Sequence, residues 1–586
     1  MDRQAWIAVT LCVLGIFGWQ FYMARQVPPP PGPAIAEASP APGAEPTGTP
    51  APAQPLEAAA SPAPAVVAAA PAPEATPSFE EKTETLANAD VELLLTNRGG
   101  AIREARLLNH KAERGEGVVV LNSPEHFPIG AILEQPGVSA VAEFTPARQP
   151  DGSVQFERTT PEGLAIRKRF LFPPSTEKKD NFVAEMQVDF RNDGPQPLTR
   201  ADYFLALGST APVHPTDMPA YTRMVWHVNG KVKAIDVNWF SAQNYPLIGV
   251  EKRAAQKTYN EKLSGTEWAG MSNQFFTTLI TPLSTKGGDV WARPLEVPYS
   301  PTQKLQGLEG AMGMPGFVLE PGQTNSLRFQ IYAGPKLYNR LAKLGHEEAE
   351  IMNFGMWKLV SEALLNFMNL LHGWVRDYGV AIILLTACVK AVLWPLQNKA
   401  NKSMRHMSAL APKMQQLKEK YKDDPTRMNQ EVMKLYKEHG VNPVGGCLPM
   451  VIQIPIFFGL FSMLGQAAEL RNASFLWVHD LSQPDTVAHI PGLGWPINIL
   501  PLLMGATQVW LMRMTPNTGD AMQRRVMMFM PLIFLIFCYN FAAALALYYT
   551  TQNLFTILQL WHNQKQPIPV LEKPAPPAKR SRKARS

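Results

Sequence analysis

Cysteine is scarce: four residues in 586, and all four (Cys12, Cys388, Cys447 and Cys538) fall in apolar segments. No disulfide framework can staple the long hydrophilic region between the first and second, and no thiolate metal site is implied. The eleven histidines show no HExxH or other ligand spacing. Also missing are GxxxxGK followed by Ser or Thr, GxSxG, and a GxGxxG set between strand and helix. These absences remove the signatures of nucleotide hydrolysis, of a nucleophile elbow and of dinucleotide binding, so the chain is read as a non-enzyme with no cofactor.

What is present divides the chain in two: polar and β-like before about residue 350, strongly apolar after it. The net charge of +6 matters less than its placement, because basic residues cluster between Lys399 and Lys437, at Arg524 and Arg525, and from Lys579 to Arg585. All flank apolar segments, as cytoplasmic loops of a membrane protein do. Ala5 to Met23 is uncharged and about long enough to span a bilayer, with no small-x-small cleavage site behind it, and is expected to be an uncleaved anchor. Val27 to Pro77, mostly Pro and Ala, reads as a semi-stiff tether.

Between about Phe79 and Ala333 the pattern has period two. Phe182, Ala184, Met186, Val188 and Phe190 alternate with Val183, Glu185, Gln187, Asp189 and Arg191, giving one buried face and one mostly wet face. Val91 to Thr96, Ala165 to Phe172 and Ser326 to Tyr332 behave alike, separated by turn signals such as Asn97-Arg98-Gly99-Gly100 and Asn192-Asp193-Gly194. A large antiparallel β-sandwich is expected. Trp226, Trp239 and Trp268 either line a sugar-binding cleft there or fill its core.

Ile351 to Trp374 carries Lys358, Glu362, Asn366, Asn369 and Gly373 at steps of three or four on an otherwise apolar helix, the profile of a helix lying in the membrane interface. Apolar spans follow at Tyr378 to Leu396, Gly446 to Ala468 and Pro496 to Met512. A last stretch, Val526 to Leu560, would be about 52 Å as one helix and must fold back, with the turn expected at Asn540 to Ala544. With the anchor this makes six spans, both termini cytoplasmic and the β-region outside. Lys399 to Gly440 splits at Asp423-Asp424-Pro425 into a helical hairpin with apolar seams, Met404, Met407, Ala411, Met414 and Tyr421 in one half and Met428, Val432, Leu435 and His439 in the other. Lys390 lies inside the second span, where an ionisable group costs at least about 2.5 kcal/mol and marks a functional site unless it snorkels to the interface. Thr386 is one helical turn away, so the two share a face.

The run Asn442-Pro443-Val444-Gly445-Gly446-Cys447-Leu448-Pro449-Met450-Val451-Ile452-Gln453-Ile454-Pro455-Ile456-Phe457 resembles the third-span signature of the YidC/Oxa/Alb family of membrane-protein insertases. The resemblance extends through the charged hairpin, Glu469-Leu470-Arg471, Trp477-Val478-His479-Asp480-Leu481 and Leu547-Tyr548-Tyr549, covering about residues 375 to 562. The layout of the remainder is similar to the Gram-negative form. The resemblance implies five core helices around a hydrophilic groove open to cytoplasm and lipid, made positive by a residue that is usually arginine. Val389-Lys390-Ala391-Val392-Leu393-Trp394-Pro395-Leu396 aligns there, so Lys390 stands in the arginine's place. Gln453, Phe457, Tyr548 and Tyr549 join Lys390 and Thr386 as candidates for groove lining or substrate contact. Each also has a packing or anchoring alternative. Ala542-Ala543-Ala544 departs from the family, where a Pro-Ser-Gly type turn is frequent.

The fold class expected is an α-helical polytopic membrane protein with a five-helix insertase core plus an extracytoplasmic antiparallel β-sandwich. Its divisions are an anchor (1–25), a tether (26–78), the periplasmic β-sandwich (79–335), connecting and interfacial helices (336–375), the second span (376–397), a basic cytoplasmic hairpin (398–441), spans three to six (442–562) and a basic tail (563–586). The implied activity is insertion, folding and assembly of inner-membrane proteins. The implied partners are nascent membrane proteins, the translating ribosome, the SecYEG translocon with its accessory subunits, and the lipid bilayer, with no DNA. A secondary transporter would show paired Gly/Pro-broken segments in two repeated halves, and none is visible. A tethered carbohydrate-binding protein would have no use for polar residues in its membrane half.

Overall fold

The computed structural model describes residues 79–565 except 113–116, 138–140, 174–180, 245–250, 301–302, 423, 442–447, 493 and 516–520. The expected anchor, tether and basic tail, the Asn442 to Cys447 part of the motif, and the side chains of Arg524 and Arg525 lie outside what is described.

The first half is β-rich. Nine strands form one antiparallel sheet in the order Lys231–Asp236, Arg223–Val228, Thr266–Ser272, Phe276–Pro282, Thr324–Pro335, Val183–Asn192, Leu164–Leu171, Val154–Thr159 and Thr145–Arg148. Register follows the apolar alternation: Leu327 pairs with Val188, Phe329 with Met186 and Ile331 with Ala184, all buried. A five-stranded sheet, ordered Tyr259–Glu261, Val290–Ser300, Gln303–Met314, Tyr203–Thr210 and Ile132–Leu133, lays its Tyr203–Thr210 and Gln303–Met314 strands against the larger one. The approach is close enough that a Cβ on Gly310 would stand 2.9 Å from Met271 Sδ and 3.0 Å from Met224 Sδ. A four-stranded meander, Thr83–Ala87 to Val118–Leu121, completes this half. Its expected turn is made by Gly99 at φ +76° and Gly100 at φ +50°. Trp226, Trp239 and Trp268 are all buried in the common core, so the sugar-cleft alternative fails. The Trp268 indole N–H donates to His346 O at 2.7 Å.

The second half is helical: α1 (Lys358–Val375), α2 (Tyr378–Lys420), α3 (Pro425–Glu438), α4 (Leu448–Leu464), α5 (Ile499–Met514), α6 (Ala521–Cys538) and α7 (Ala543–Gln564). Asp377 starts α2 by accepting the Val380 N–H at 2.9 Å. Among the described residues α2 is the one helix both long and apolar enough to cross a membrane, with shorter apolar helices at Ile452–Leu464, Ile499–Met514 and Phe529–Cys538. The expected boundary at 397/398 does not interrupt it: α2 runs through Pro395 and Pro412 for 43 residues. Hydropathy there records a change of composition, which need not coincide with a helix end. α6 and α7 do separate at the expected turn.

In α1 the polar stripe is partly consumed by internal contacts. Lys358 pairs with Glu362 at 3.8 Å, and Asn369 Nδ2 donates to Glu469 Oε1 at 3.3 Å. Leu364, Leu365, Met368 and Leu371 are buried, with Ser361 bonding Gly459 O on α4 at 2.9 Å, while Leu359, Leu370 and Trp374 are exposed. In the hairpin, Leu410, Met414, Tyr436 and Val441 form its own small core, joined by Met407, Val432 and Leu435.

Candidate functional site

α2 and α7 run side by side, and polar groups meet along their contact. Lys390 Nζ donates to Thr556 Oγ1 at 2.7 Å, and that hydroxyl donates to Gln552 O at 2.7 Å. An ammonium carries three donors. Thr556 is its one hydrogen-bond partner among the described residues, which leaves donors for an incoming acceptor. Further along, Asn398 Oδ1 accepts from Gln559 Nε2 at 2.8 Å and from Asn563 Nδ2 at 3.2 Å, and Arg405 Nη1 donates to Asn563 O at 3.0 Å. From α4, Gln453 Nε2 donates to Gln552 Oε1 at 3.1 Å. From α5, Thr507 Oγ1 accepts from Asn553 Nδ2 at 3.1 Å. The result is a hydrogen-bonded polar seam running lengthwise between otherwise apolar helices.

Toward the β-rich half the seam gives way to aromatic rings. Phe457 on α4 lies 5.5 Å, centroid to centroid, from Tyr549 on α7, 5.8 Å from Phe534 on α6 and 6.4 Å from Phe461. Tyr548 and Tyr549 are 5.2 Å apart, edge to face, and both are buried. Aromatic faces and edges adapt to many apolar partners, whereas the seam offers donors and acceptors.

Of the residues singled out from sequence, Lys390 and Gln453 enter the seam and Phe457, Tyr548 and Tyr549 the aromatic cluster. Thr386 enters neither. It is fully buried, and its hydroxyl bonds Ile382 O one turn back at 2.7 Å, so it does not share a polar surface with Lys390. Sequence reasoning missed Gln552, Thr556, Gln559 and Asn563. Their spacing of four, three and four is one face of α7, a polar stripe that was there to be read. Asn398 and Arg405 fall in the stretch that reads as a basic hairpin, which hides their place in the seam.

Two family models match this chain: "YidC periplasmic domain" over residues 84–367 and "60Kd inner membrane protein" over residues 370–569. Among curated proteins, the membrane protein insertase YidC of Histophilus somni is 32% identical over 502 residues, 81% of this chain and 85% of the relative. That of Pelobacter propionicus is 31% identical over 495 residues, 80% and 84% of the two chains. That of Syntrophus aciditrophicus is 29% identical over 588 residues, 97% and 100%. A solved structure described as an active YidC insertase with its first transmembrane domain resolved is 18% identical, covering 83% of this chain and 94% of that one with a TM-score of 0.34.

Proposed function

This chain belongs to the YidC/Oxa/Alb family of membrane insertases, in the form that carries a large periplasmic domain, and from that membership we propose how the seam between α2 and α7 does the work. The protein is an inner-membrane insertase and chaperone for membrane proteins, and the family's members are not catalytic enzymes.

In the proposed mechanism α2, α4, α5, α6 and α7 surround a groove that is wet on its cytoplasmic side. A polar segment of a nascent chain enters and exchanges its water for the amides and hydroxyls of the seam. Each peptide group carried unpaired into hydrocarbon costs several kcal/mol, so a surface that supplies partners lowers the barrier directly. Lys390 draws in acidic residues with its remaining N–H groups. The substrate's apolar segment meanwhile slides past Phe457 and Tyr549 into lipid, driven by the hydrophobic effect. The observation that carries this reading is the Lys390–Thr556 bond set among amide pairs inside apolar helices.

The finer architecture belongs to the same proposal: six spans with both termini cytoplasmic, α1 in the interface, the β-rich half a sandwich from 79 to 335, and divisions at 25, 78, 335, 375, 397, 441 and 562. The basic hairpin α2–α3 and the basic tail are assigned to the translating ribosome, and the SecYEG translocon with its accessory subunits to the lateral partners. Their support is charge placement and family membership. The test is photo-crosslinking from Gln552, Phe457 and Tyr549 to ribosome-stalled chains bearing one transmembrane segment. Adducts are expected at all three, at different chain lengths, and a lipid-facing probe at Ile533 serves as control. No adduct at any of the three sinks the groove.

A further inference from the structure

Ala542, Ala543 and Ala544 open α7 without a side-chain cap. A helix start leaves four N–H groups with no partner inside the helix. Here Ala543 N–H donates to Gln483 O at 2.8 Å and Ala544 N–H to Leu481 O at 3.0 Å. The cap is thus supplied by a separate segment, and that segment is held by the β-rich domain. Thr216 Oγ1 donates to Gln483 Oε1 at 2.9 Å, and Gln483 Nε2 donates to Asp217 Oδ1 at 3.2 Å. The other carboxylate oxygen of Asp217 accepts from the N–H groups of Val213 and His214, both at 2.9 Å, so the acceptor is itself fixed.

The same domain grips the end of α4. Gln274 Nε2 donates to Gly465 O, just past the last helical residue, at 2.9 Å. Arg223 and Lys336, both buried, converge on Gln466 Oε1 at 3.3 and 3.5 Å. A Cβ on Gly465 would meet the Tyr221 hydroxyl at 2.9 Å, so the fit leaves no slack. The two helices held in this way are those that carry Phe457 and Tyr549.

We propose that the β-rich domain is a brace that fixes the periplasmic ends of α4 and α7, with Gln483 as the positioning residue that passes the hold to the first turn of α7. This inference rests on the groove reading above. It assigns the domain a mechanical task at the periplasmic end of the groove and requires no ligand for it.

The test uses the full chain, with its four cysteines replaced, in liposomes of both orientations: the basic hairpin outside for insertion, the β-rich domain outside for labelling. Two quantities are read: insertion of a single-span substrate, and the rate at which an impermeant maleimide labels Tyr549→Cys. Gln483→Ala keeps the capping carbonyl and removes the two side-chain bonds that tie the capping segment to Thr216 and Asp217, a loss that corresponds to about a fivefold change in an equilibrium. Gln483→Ala is therefore expected to speed labelling and slow insertion by about that factor. Adding Ala542→Ser, which gives α7 a cap of its own, should return both. A second variant guards against misfolding: Thr216→Cys with Gln483→Cys, once oxidised, should insert at the parent rate. Unchanged labelling and insertion in Gln483→Ala, no rescue by Ala542→Ser, or a loss on oxidation that reductant reverses would each overturn the brace. Should the groove reading fail, Tyr549 crosslinks vanish in the parent while the labelling comparison still decides the brace.

Discussion

The charge of Lys390 makes a quantitative demand. Held at about 4 Å, an ammonium and a carboxylate attract by about 1 kcal/mol in bulk water and about 4 kcal/mol at an effective dielectric of about 20. The half-buried position of Lys390 between two helices lies between those limits. A substrate with an acidic translocated segment should then outpace its neutral counterpart by a factor between about 5 and several hundred. Proteoliposome insertion of two substrates differing only in that segment measures the ratio. Lys390→Ala should bring it to about 1 while leaving the neutral substrate at its parent rate, which shows that the bundle is intact. Lys390→Arg retains the charge and should stay within about threefold of the parent, since Thr556 can accept from a guanidinium as well. Lys390→Glu should invert the preference, because the seam would then repel the acidic segment. An alanine variant with the parent's ratio would refute the electrostatic role, whatever its absolute rate.

Other consequences concern stability and are measurable on detergent-solubilised protein. Burial lifts the Glu469 carboxyl above its ordinary range, with Asn369 its one side-chain donor among the described residues. The folded chain therefore holds that proton longer than the unfolded one and loses stability as pH climbs through the gap. Glu469→Gln should raise Tm at pH 8 and leave it nearly unchanged at pH 4; equal shifts at both would contradict this. Lys168 is the opposite case, a buried amine pushed down to about 7 that donates to Gly99 O and Gly130 O at 2.9 and 2.6 Å. Its fold sheds the proton earlier than the unfolded chain, so stability should rise between about pH 7 and 10 by up to about 1.4 kcal/mol per unit. Lys168→Met, followed by denaturant titration, should lack that limb. Asn398→Ala strands two amide donors and should cost about 1–3 kcal/mol, whereas Asn398→Asp, which keeps the acceptor, should cost less.

How far the sequence could be read depended on which force set each feature. The strand around Met186 and Val188 was legible because one face is buried and the other wet, and period two records that difference. Lys390 stands out because a charge in an apolar run is costly, and its bond to Thr556 shows where the ammonium is held. Periodicity gives Thr386 a face but not a partner, and its hydroxyl bonds its own backbone four residues back. The polar face of α7 is hard to see in sequence because Gln552, Thr556, Gln559 and Asn563 are diluted among the apolar residues of one long stretch. The division at 397/398 follows a change of composition, and the helix runs through it because composition does not end a helix. The three tryptophans were ambiguous until burial decided them, because aromatic residues serve cores and clefts alike.

One consequence remains in the unbroken length of α2. From Lys390 to Lys420 the helix runs about 45 Å, past the last seam contact at Arg405, ending where the basic hairpin turns. A rod of that length is a lever: a tilt of about 5° at Lys390 moves its far end by about 4 Å, and a push of that size at the hairpin tilts the site in return. Pro395 and Pro412, each lacking an N–H, are the points where such a rod would flex first. Whatever docks on the hairpin therefore holds the long arm of a device whose short arm is the charged site.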